Sequence, residues 1–274
     1  MPPESSIPEA RQIAVYRKYL QLQSIAESHF ARSLAGRLIL SAGFGLQGAQ
    51  LALATVIAGG TFLGIESDAN HLKAAVRNGS CDFMVTTLDE ALRVLKNEIR
   101  KGTPLSTGLL GSAAEILPAI VERGVQPDLI AAHASRENPA ESVALEPAIN
   151  QLVERGAQFF RRGGEKFAAG EGESADLAPG DVLWTAANPQ DLRRMDQTAL
   201  DTIPPEDWVR RRWLQHAAGY FHRQAPLERV LSVREEERTK LLSALRQTGS
   251  AAAFQPPTTF RWLDPDRGLQ TTAL

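Results

Sequence analysis

The sequence predicts an α/β protein whose first part is a doubly wound, mostly parallel sheet with flanking helices. Through residues 9–145, short apolar runs that suit buried strands alternate with segments of helical periodicity. The connections between them are only a few residues long, which favours parallel strands joined by crossover helices. The apolar runs are continuous rather than alternating, as expected where helices cover both faces of a sheet. A smaller, mainly helical C-terminal region is expected to follow.

Five candidate strands lie in the first part, after a long helix predicted over residues 10–34. In chain order they are the runs GRLILSAGFG, TFLGIE, DFMV, LSTGLL and PDLIAAH. Helices are predicted between them. Thr87 is expected to be the N-cap of the helix that starts at Leu88. Ser112 and Glu115 have the spacing of a capping box for the helix that starts at Ala113.

The character of the sequence changes after residue 145. Residues 146–249 are interpreted as a second, helix-rich region with one strand, DVLWTA. A glycine- and charge-rich stretch near residues 161–181 is expected to be a linker. Residues 250–274 have no periodicity and are expected to form an irregular C-terminal arm.

Composition and charge argue against several classes of protein. The net charge of −2 and the pI near 6.2 provide no basic field for nucleic acid, and the arginines of WVRRRW are expected on a solvated helix face. No apolar run approaches the roughly 20 residues that span a bilayer, and the N-terminus has no apolar signal core. The single cysteine, Cys81, excludes an internal disulfide framework, and no His, Cys, Asp and Glu set has metal-ligand spacing. We therefore expect a cytoplasmic protein with no membrane, nucleic-acid or metal partner.

Three glycines with the spacing of a dinucleotide-binding loop follow the first strand. Gly43 suits a tight turn, Gly45 lets a pyrophosphate approach the backbone, and Gly48 lets the next helix pack closely. The helix N-terminus offers free N–H groups and partial positive charge to phosphates. Glu66 ends the second strand, where an acid accepts hydrogen bonds from the adenosine ribose and favours NAD over NADP. This pattern predicts a Rossmann-like domain. The alternative is that the glycines only allow strand–helix packing and that Glu66 is a solvated strand end.

Longer stretches of the sequence resemble the urocanate hydratase (urocanase) family. The resemblance is carried by SIAESHFARSLAGRLILSAGFGLQGAQ, GIESDANHL and PLSTGLLGSAAEILPAIVERGVQPDLI, which occur in the family's order. It covers roughly residues 12–135 and resumes over 182–245. It implies a truncated, diverged relative that contains the Rossmann-like NAD domain and part of the following domain. The family's segment with its essential cysteine has no counterpart here.

The resemblance implies NAD as the cofactor and a set of residues that bind it. This set comprises the glycine-rich loop, the ribose acid with a neighbour, and the start of a later helix: Gly43, Gly45, Leu46, Gln47, Gly48, Ala49, Gln50, Glu66, His71, Ser112 and Ala113. The loop is one residue shorter than the family's, and His71 stands where the family has an arginine. The catalytic residues stay unidentified. His133, at the end of the fifth strand, is a candidate acid–base group, and a partly exposed structural histidine is the alternative.

The resemblance also implies an activity and an assembly. Urocanases use NAD as an electrophile rather than as a hydride carrier, so a lyase or hydratase reaction on a small imidazole-like or unsaturated acid is implied, related to histidine catabolism. Because urocanases are dimers, a homodimer is implied, and a partner chain could supply the missing active-site segments. The alternative function is a non-catalytic module that senses a dinucleotide or uses the domain only for association.

Overall fold

The structure is a computed structural model, and it describes most of the chain. The described ranges are residues 9–132, 139–160, 177–221, 227–251 and 254–274. Within these ranges, no helix combines the length and the apolar character needed to cross a membrane.

The chain forms two compact units whose limits differ from the boundary predicted at residue 145. The larger unit is Lys18–Gly172, and the smaller one combines Met1–Arg17 with Glu173–Leu274. The larger unit extends past the predicted boundary because a helix and a sixth strand continue its sheet beyond residue 145.

Strands and helices alternate through the larger unit, which also contains the second half of the first helix. The elements in chain order are α1 (Glu9–His29), β1 (Leu38–Ala42), α2 (Leu46–Ala58), β2 (Thr61–Glu66), α3 (Ala69–Arg77), β3 (Phe83–Val85), α4 (Leu88–Lys101), β4 (Leu105–Leu110), α5 (Ala113–Glu122), β5 (Leu129–Ala132), α6 (Pro139–Glu154) and β6 (Gln158–Phe160). These six strands form one parallel sheet in the order β3-β4-β2-β1-β5-β6. The predicted doubly wound α/β, Rossmann-like class is confirmed.

The central strands of this sheet are apolar because helices cover both faces. All five residues of β1 are buried, as are the first five of β2. Thr87 Oγ1 accepts a hydrogen bond from the Glu90 N–H at 3.3 Å, which confirms the predicted cap of α4. The capping box predicted for α5 is not formed, since Ser112 is the N-cap residue but its side chain makes no capping hydrogen bond.

The strand order reverses at β1. From β1 the chain passes to β2 on one side, then to β3 at the edge of the sheet and back to β4 between them, whereas β5 and β6 lie on the other side of β1. Such a reversal opens a crevice at the carboxyl ends of the two central strands, here β1 and β5, where ligands of doubly wound sheets bind. The candidate residue His133 follows β5 directly and lies outside the described residues.

The smaller unit contains a sheet that the sequence predicted only in part. Its remaining elements are β7 (Asp181–Ala186), α7 (Pro189–Thr202), α8 (Trp208–Phe221), β8 (Leu227–Ser232), α9 (Glu235–Ala251), β9 (Thr259–Asp264) and β10 (Gly268–Ala273). The four strands form an antiparallel sheet in the order β10-β9-β7-β8. The predicted strand DVLWTA is β7, and most of the predicted linker near 161–181 lies outside the described residues.

The irregular arm predicted over residues 250–274 is corrected by the structure. β9 and β10 form a hairpin, and β9 also pairs with β7. Phe260 of β9 lies parallel to Trp184 of β7, with ring centroids 6.5 Å apart. Periodicity did not reveal β10 because it is an edge strand with little burial on either face. It did not reveal β8 because that strand carries Glu228 and Arg229 in its buried interior.

Buried polar contacts connect the helices of the smaller unit to its sheet. Arg229 is fully buried, and its guanidinium donates to Asp196 Oδ2 at 2.9 Å. Trp184 Nε1 donates to Asp196 Oδ1 at 3.0 Å. From α1, Tyr16 Oη accepts a hydrogen bond from the Ser232 N–H at 3.1 Å. Contacts of this last kind explain why the first half of α1 belongs to this unit.

Candidate functional site

A sharp turn joins β1 to α2 at the edge where the strand order reverses. Gly43 has φ +121°, in the left-handed region that favours glycine. Ser41 Oγ donates a hydrogen bond to the Gly43 carbonyl oxygen at 2.8 Å. Gly48 lies against the same carbonyl group, and a Cβ at Gly48 would be 2.3 Å from the Gly43 oxygen. The local backbone therefore requires both glycines, whatever the turn binds.

Gly45 differs from Gly43 and Gly48 because the packing of the turn does not require a glycine at this position. Its φ is −58°, which any residue adopts, and a Cβ there would meet nothing within 4 Å. It is exposed and forms the N-cap of α2. The missing side chain keeps the space in front of the helix open, as a pyrophosphate approaching the backbone requires.

The N-terminus of α2 presents free hydrogen-bond donors. The N–H groups of Leu46, Gln47 and Gly48 have no partner among the described residues, and no side chain caps the helix. The first turn also contains no acidic residue that would offset the helix dipole. Free donors and an uncompensated partial positive charge together suit an anionic ligand.

Other predicted residues of the loop differ in what they offer. The Leu46 side chain is 64% exposed, so it is free to contact a ligand. Ala49 is buried, and its N–H already donates to the Gly45 carbonyl oxygen at 2.9 Å. Gln50 is also buried, and its Oε1 has no hydrogen-bond partner within the described ranges. Gln50 therefore keeps an unsatisfied acceptor in the second turn of α2, and such groups are rare in protein interiors.

The Glu66 carboxylate connects the turn to the end of β2 by hydrogen bonds. Its Oε2 accepts a hydrogen bond from the Phe44 N–H at 3.3 Å, and its Oε1 accepts one from the Asp68 N–H at 3.1 Å. The side chain is only 13% exposed, so Glu66 is not the solvated strand end of the alternative interpretation. A carboxylate has about four acceptor positions, which leaves capacity for further donors such as ribose hydroxyls.

His71 lies beside this acid. Its Nδ1 is 3.7 Å from Glu66 Oε2, and its Nε2 is 3.8 Å from Asp68 Oδ2. Asp68 itself caps α3, since its Oδ1 accepts a hydrogen bond from the Asn70 N–H at 2.7 Å. The His71 side chain is 61% exposed, so a ligand at this edge of the sheet can reach it.

The connection from β4 to α5 reaches the same edge. The Gly111 N–H donates to the Glu66 carbonyl oxygen at 2.9 Å, which places the following Ser112 next to the end of β2. Ser112 is partly exposed and its hydroxyl makes no capping bond. Ala113 is buried within the apolar core, so its side chain is not available to a ligand. Of this predicted pair, only Ser112 has a side chain that a ligand could contact.

Sequence reasoning missed two residues that shape the turn. Phe44 is buried and packs edge-on against Phe62, with ring centroids 5.7 Å apart. Gly64 in β2 makes room for it, because a Cβ at Gly64 would be 2.1 Å from Phe44 Cδ2. The available signal was a glycine inside an otherwise apolar strand, which often marks a close approach.

Cys81 is not a candidate nucleophile. It is buried, and its Sγ lies 3.0 Å from the Phe83 carbonyl oxygen. Burial raises the pKa of this thiol to about 12, so it is protonated at neutral pH, whereas reactive cysteines are thiolates.

Fold and turn together define the class of this protein: a doubly wound α/β domain with a glycine-rich turn at its topological switch point. Comparison with known families is more specific. The family described as the urocanase Rossmann-like domain matches residues 15–145, just under half of the chain. The chain is therefore a relative of the urocanases, as the resemblance in sequence predicted.

Proposed function

We propose that this chain binds NAD at the turn between β1 and α2. The observation that carries the proposal is the open space at Gly45 in front of three free amide groups. The N–H groups of Leu46, Gln47 and Gly48 would bind the pyrophosphate. The unused acceptor positions of Glu66 would bind the ribose hydroxyls. The residues present fit this cofactor.

We also propose that the site prefers NAD to NADP. Glu66 and Asp68 place two carboxylates at the end of β2, one of them largely shielded from water. A 2′-phosphate at this position would bring more negative charge next to them, which costs free energy. The basic side chain next to these carboxylates is His71, with nitrogen atoms 3.7 Å from Glu66 Oε2 and 3.8 Å from Asp68 Oδ2.

For the reaction, we propose a urocanase-like lyase or hydratase that acts on a small imidazole-like or unsaturated acid. Bound NAD would supply an electrophile, and the described residues would bind and orient it. A reaction of this kind also needs positioned acid and base groups. His133, outside the described ranges, and a partner chain in a homodimer are the proposed sources of these groups.

A second candidate function is a dinucleotide-sensing or association module without catalysis. It is favoured by the Glu66 carboxylate, which already accepts hydrogen bonds from two backbone N–H groups and so has a role in holding the turn. An absorbance assay distinguishes the two functions. The purified chain is incubated with NAD and urocanate, and the absorbance of urocanate is followed over time. Turnover supports the lyase, whereas NAD binding without turnover supports the sensing module.

Titration calorimetry tests the cofactor itself. The wild-type chain should bind NAD, and Gly45→Val should weaken binding at least about tenfold, because a side chain would fill the space that the phosphates need. The matched control is Gly219→Ala in α8, where added atoms also meet nothing within 4 Å. Absence of heat with millimolar NAD, or equal affinity in Gly45→Val, would show that this turn is not the site.

A further inference from the structure

A groove of about 430 Å³ follows one face of α9 in the smaller unit. Most of its lining comes from that helix, and one residue comes from β9. The lining includes Arg238, Leu242, Ser243, Arg246, Gln247 and Trp262. The two arginines are two helical turns apart, so their α-carbons are separated by about 12 Å along the helix.

Positive charge dominates this groove, which has no acidic residue in its lining. Arg246 donates to Thr272 Oγ1 at 3.1 Å and makes no salt bridge to any residue in the described ranges. Arg238 lies over the Trp262 ring, 5.5 Å from its centroid. It also pairs with Glu235 at 3.3 Å, but that carboxylate is 84% exposed, and such pairs are weak.

The surface between the two arginines is partly apolar. Leu242 lies one helical turn from each arginine and is half-buried, and Trp262 forms the wall beside it. Ser243 and Gln247 are exposed and offer hydrogen-bonding groups along the same face. Along the groove, an apolar surface at Leu242 therefore lies between the positive charges of Arg238 and Arg246.

We propose that this groove binds an extended acidic peptide with an acid at positions i and i+4 and an apolar residue at i+2. An extended chain rises about 3.3 Å per residue, so positions i and i+4 are about 13 Å apart, close to the separation of Arg238 and Arg246. Even-numbered steps also place all three side chains on one face of the peptide. The central side chain then meets Leu242 and Trp262, and the acids meet the arginines.

The shape and charge of the groove favour a peptide over other anions. A small monoanion would reach only one of two arginines so far apart. A nucleic-acid strand is disfavoured because the chain as a whole carries a net charge of −2, without the general basic field that such partners need.

The test uses the full-length chain and a fluorescein-labelled peptide, Gly-Glu-Ser-Leu-Ser-Glu-Gly, measured by fluorescence anisotropy. The wild-type chain should bind it, and added salt should weaken binding. Arg246→Glu should raise the Kd at least about tenfold, since it replaces a charge-assisted hydrogen bond with repulsion. Ser243→Trp fills the groove without changing charge and should weaken binding similarly. The matched control is Lys240→Glu, on the same helix but outside the lining, which should stay within about twofold.

Circular dichroism of each variant shows that α9 is folded before binding is compared. Equal affinity in Arg246→Glu and Lys240→Glu would overturn the proposal, as would binding of a peptide with the same composition but adjacent acids. Tighter binding of citrate or of a single-stranded oligonucleotide than of the peptide would also overturn it. None of these results depends on NAD binding by the larger unit.

Discussion

The carbonyl oxygen of Gly43 lies 2.3 Å from the position that a Cβ on Gly48 would occupy. The close approach requires a glycine at position 48, and the positive φ requires one at position 43. Neither of these two glycines therefore needs a ligand to explain it. Gly45 has a negative φ, and a Cβ there would face empty space. The argument for a ligand therefore depends on Gly45 and on the free amides that follow it, rather than on the three-glycine spacing.

The first prediction concerns Gly48→Ala. The new methyl group must displace the backbone of the turn, because the atom it meets is a carbonyl oxygen and not a flexible side chain. We expect the free energy of unfolding to fall by about 2 kcal/mol, as in other overpacked sites, and NAD affinity to fall with it. Urea denaturation measures the first and calorimetry the second. Gly219→Ala, which meets no atoms, should not destabilise the chain, and an unchanged urea midpoint in Gly48→Ala would contradict the geometry.

The second prediction tests the contact between Gly64 and Phe44. Gly64→Ala should destabilise the larger unit by about 2 kcal/mol, since its Cβ would overlap the Phe44 ring. Phe44→Ala should cost about 3–4 kcal/mol through the cavity that it leaves. In the double variant the alanine at position 64 loses its overlap with Phe44 and keeps only the approach to Phe62 Cε1, at 2.8 Å, so the loss should be smaller than the sum of the two. Strictly additive losses in urea denaturation would show that the two residues do not interact.

The third prediction concerns Glu66→Gln. The Phe44 and Asp68 N–H groups bind different oxygens of the carboxylate, and glutamine replaces one of these oxygens with an NH2 group that cannot accept. One amide is left unpaired, which should cost about 1–3 kcal/mol of stability. Loss of the negative charge should also bring the NAD and NADP affinities closer together. Asp68→Asn is the control for stability alone, because it keeps the oxygen that caps α3 but removes one of the two carboxylates at the end of β2. If both variants have wild-type stability and cofactor preference, Glu66 does not have the role assigned here.

Apolar runs were sufficient to predict β1 to β5 of the parallel sheet, because its central strands are buried on both faces, but they missed the short edge strand β6. The same logic failed in the smaller unit for a physical reason. β8 buries Arg229 against Asp196, and β10 is barely buried, so neither has the apolar signature that periodicity detects. At the turn, the sequence located Gly43, Gly45 and Gly48 but could not separate their roles. That distinction depends on φ and on distances between residues remote in sequence, such as Gly64 and Phe44.

The fourth prediction concerns the buried pair of Asp196 and Arg229. Burial raises the pKa of Asp196, and the charge and hydrogen bonds of Arg229 oppose that shift. Asp196→Ala leaves the guanidinium buried without its carboxylate and should cost about 3–5 kcal/mol. The double variant Asp196→Leu with Arg229→Met removes both charges and should recover much of this loss. Thermal or urea unfolding measures both. A double variant no more stable than Asp196→Ala would show that the uncompensated charge is not the cause.

The last prediction is a dependence of stability on alkaline pH that comes from Tyr16. Burial raises the pKa of its phenol from 10.0 to about 12, so the folded chain keeps a proton that the unfolded chain has lost. A group whose pKa is raised by folding contributes stability below its unfolded pKa and loses it as the pH rises towards the folded value. The free energy of unfolding should therefore decline by roughly 1.4 kcal/mol per pH unit between these two values on account of Tyr16.

The control for this prediction is Tyr16→Phe, which has no phenol to titrate. It should be about 1 kcal/mol less stable at neutral pH, because the Ser232 N–H loses its acceptor. As the pH rises above 10, the difference in unfolding free energy between the wild type and this variant should shrink and then change sign. Other lysines and tyrosines titrate in the same range, but they do so in both chains and cancel in the difference. Parallel declines in the two chains would mean that the Tyr16 phenol titrates alike in the folded and unfolded states.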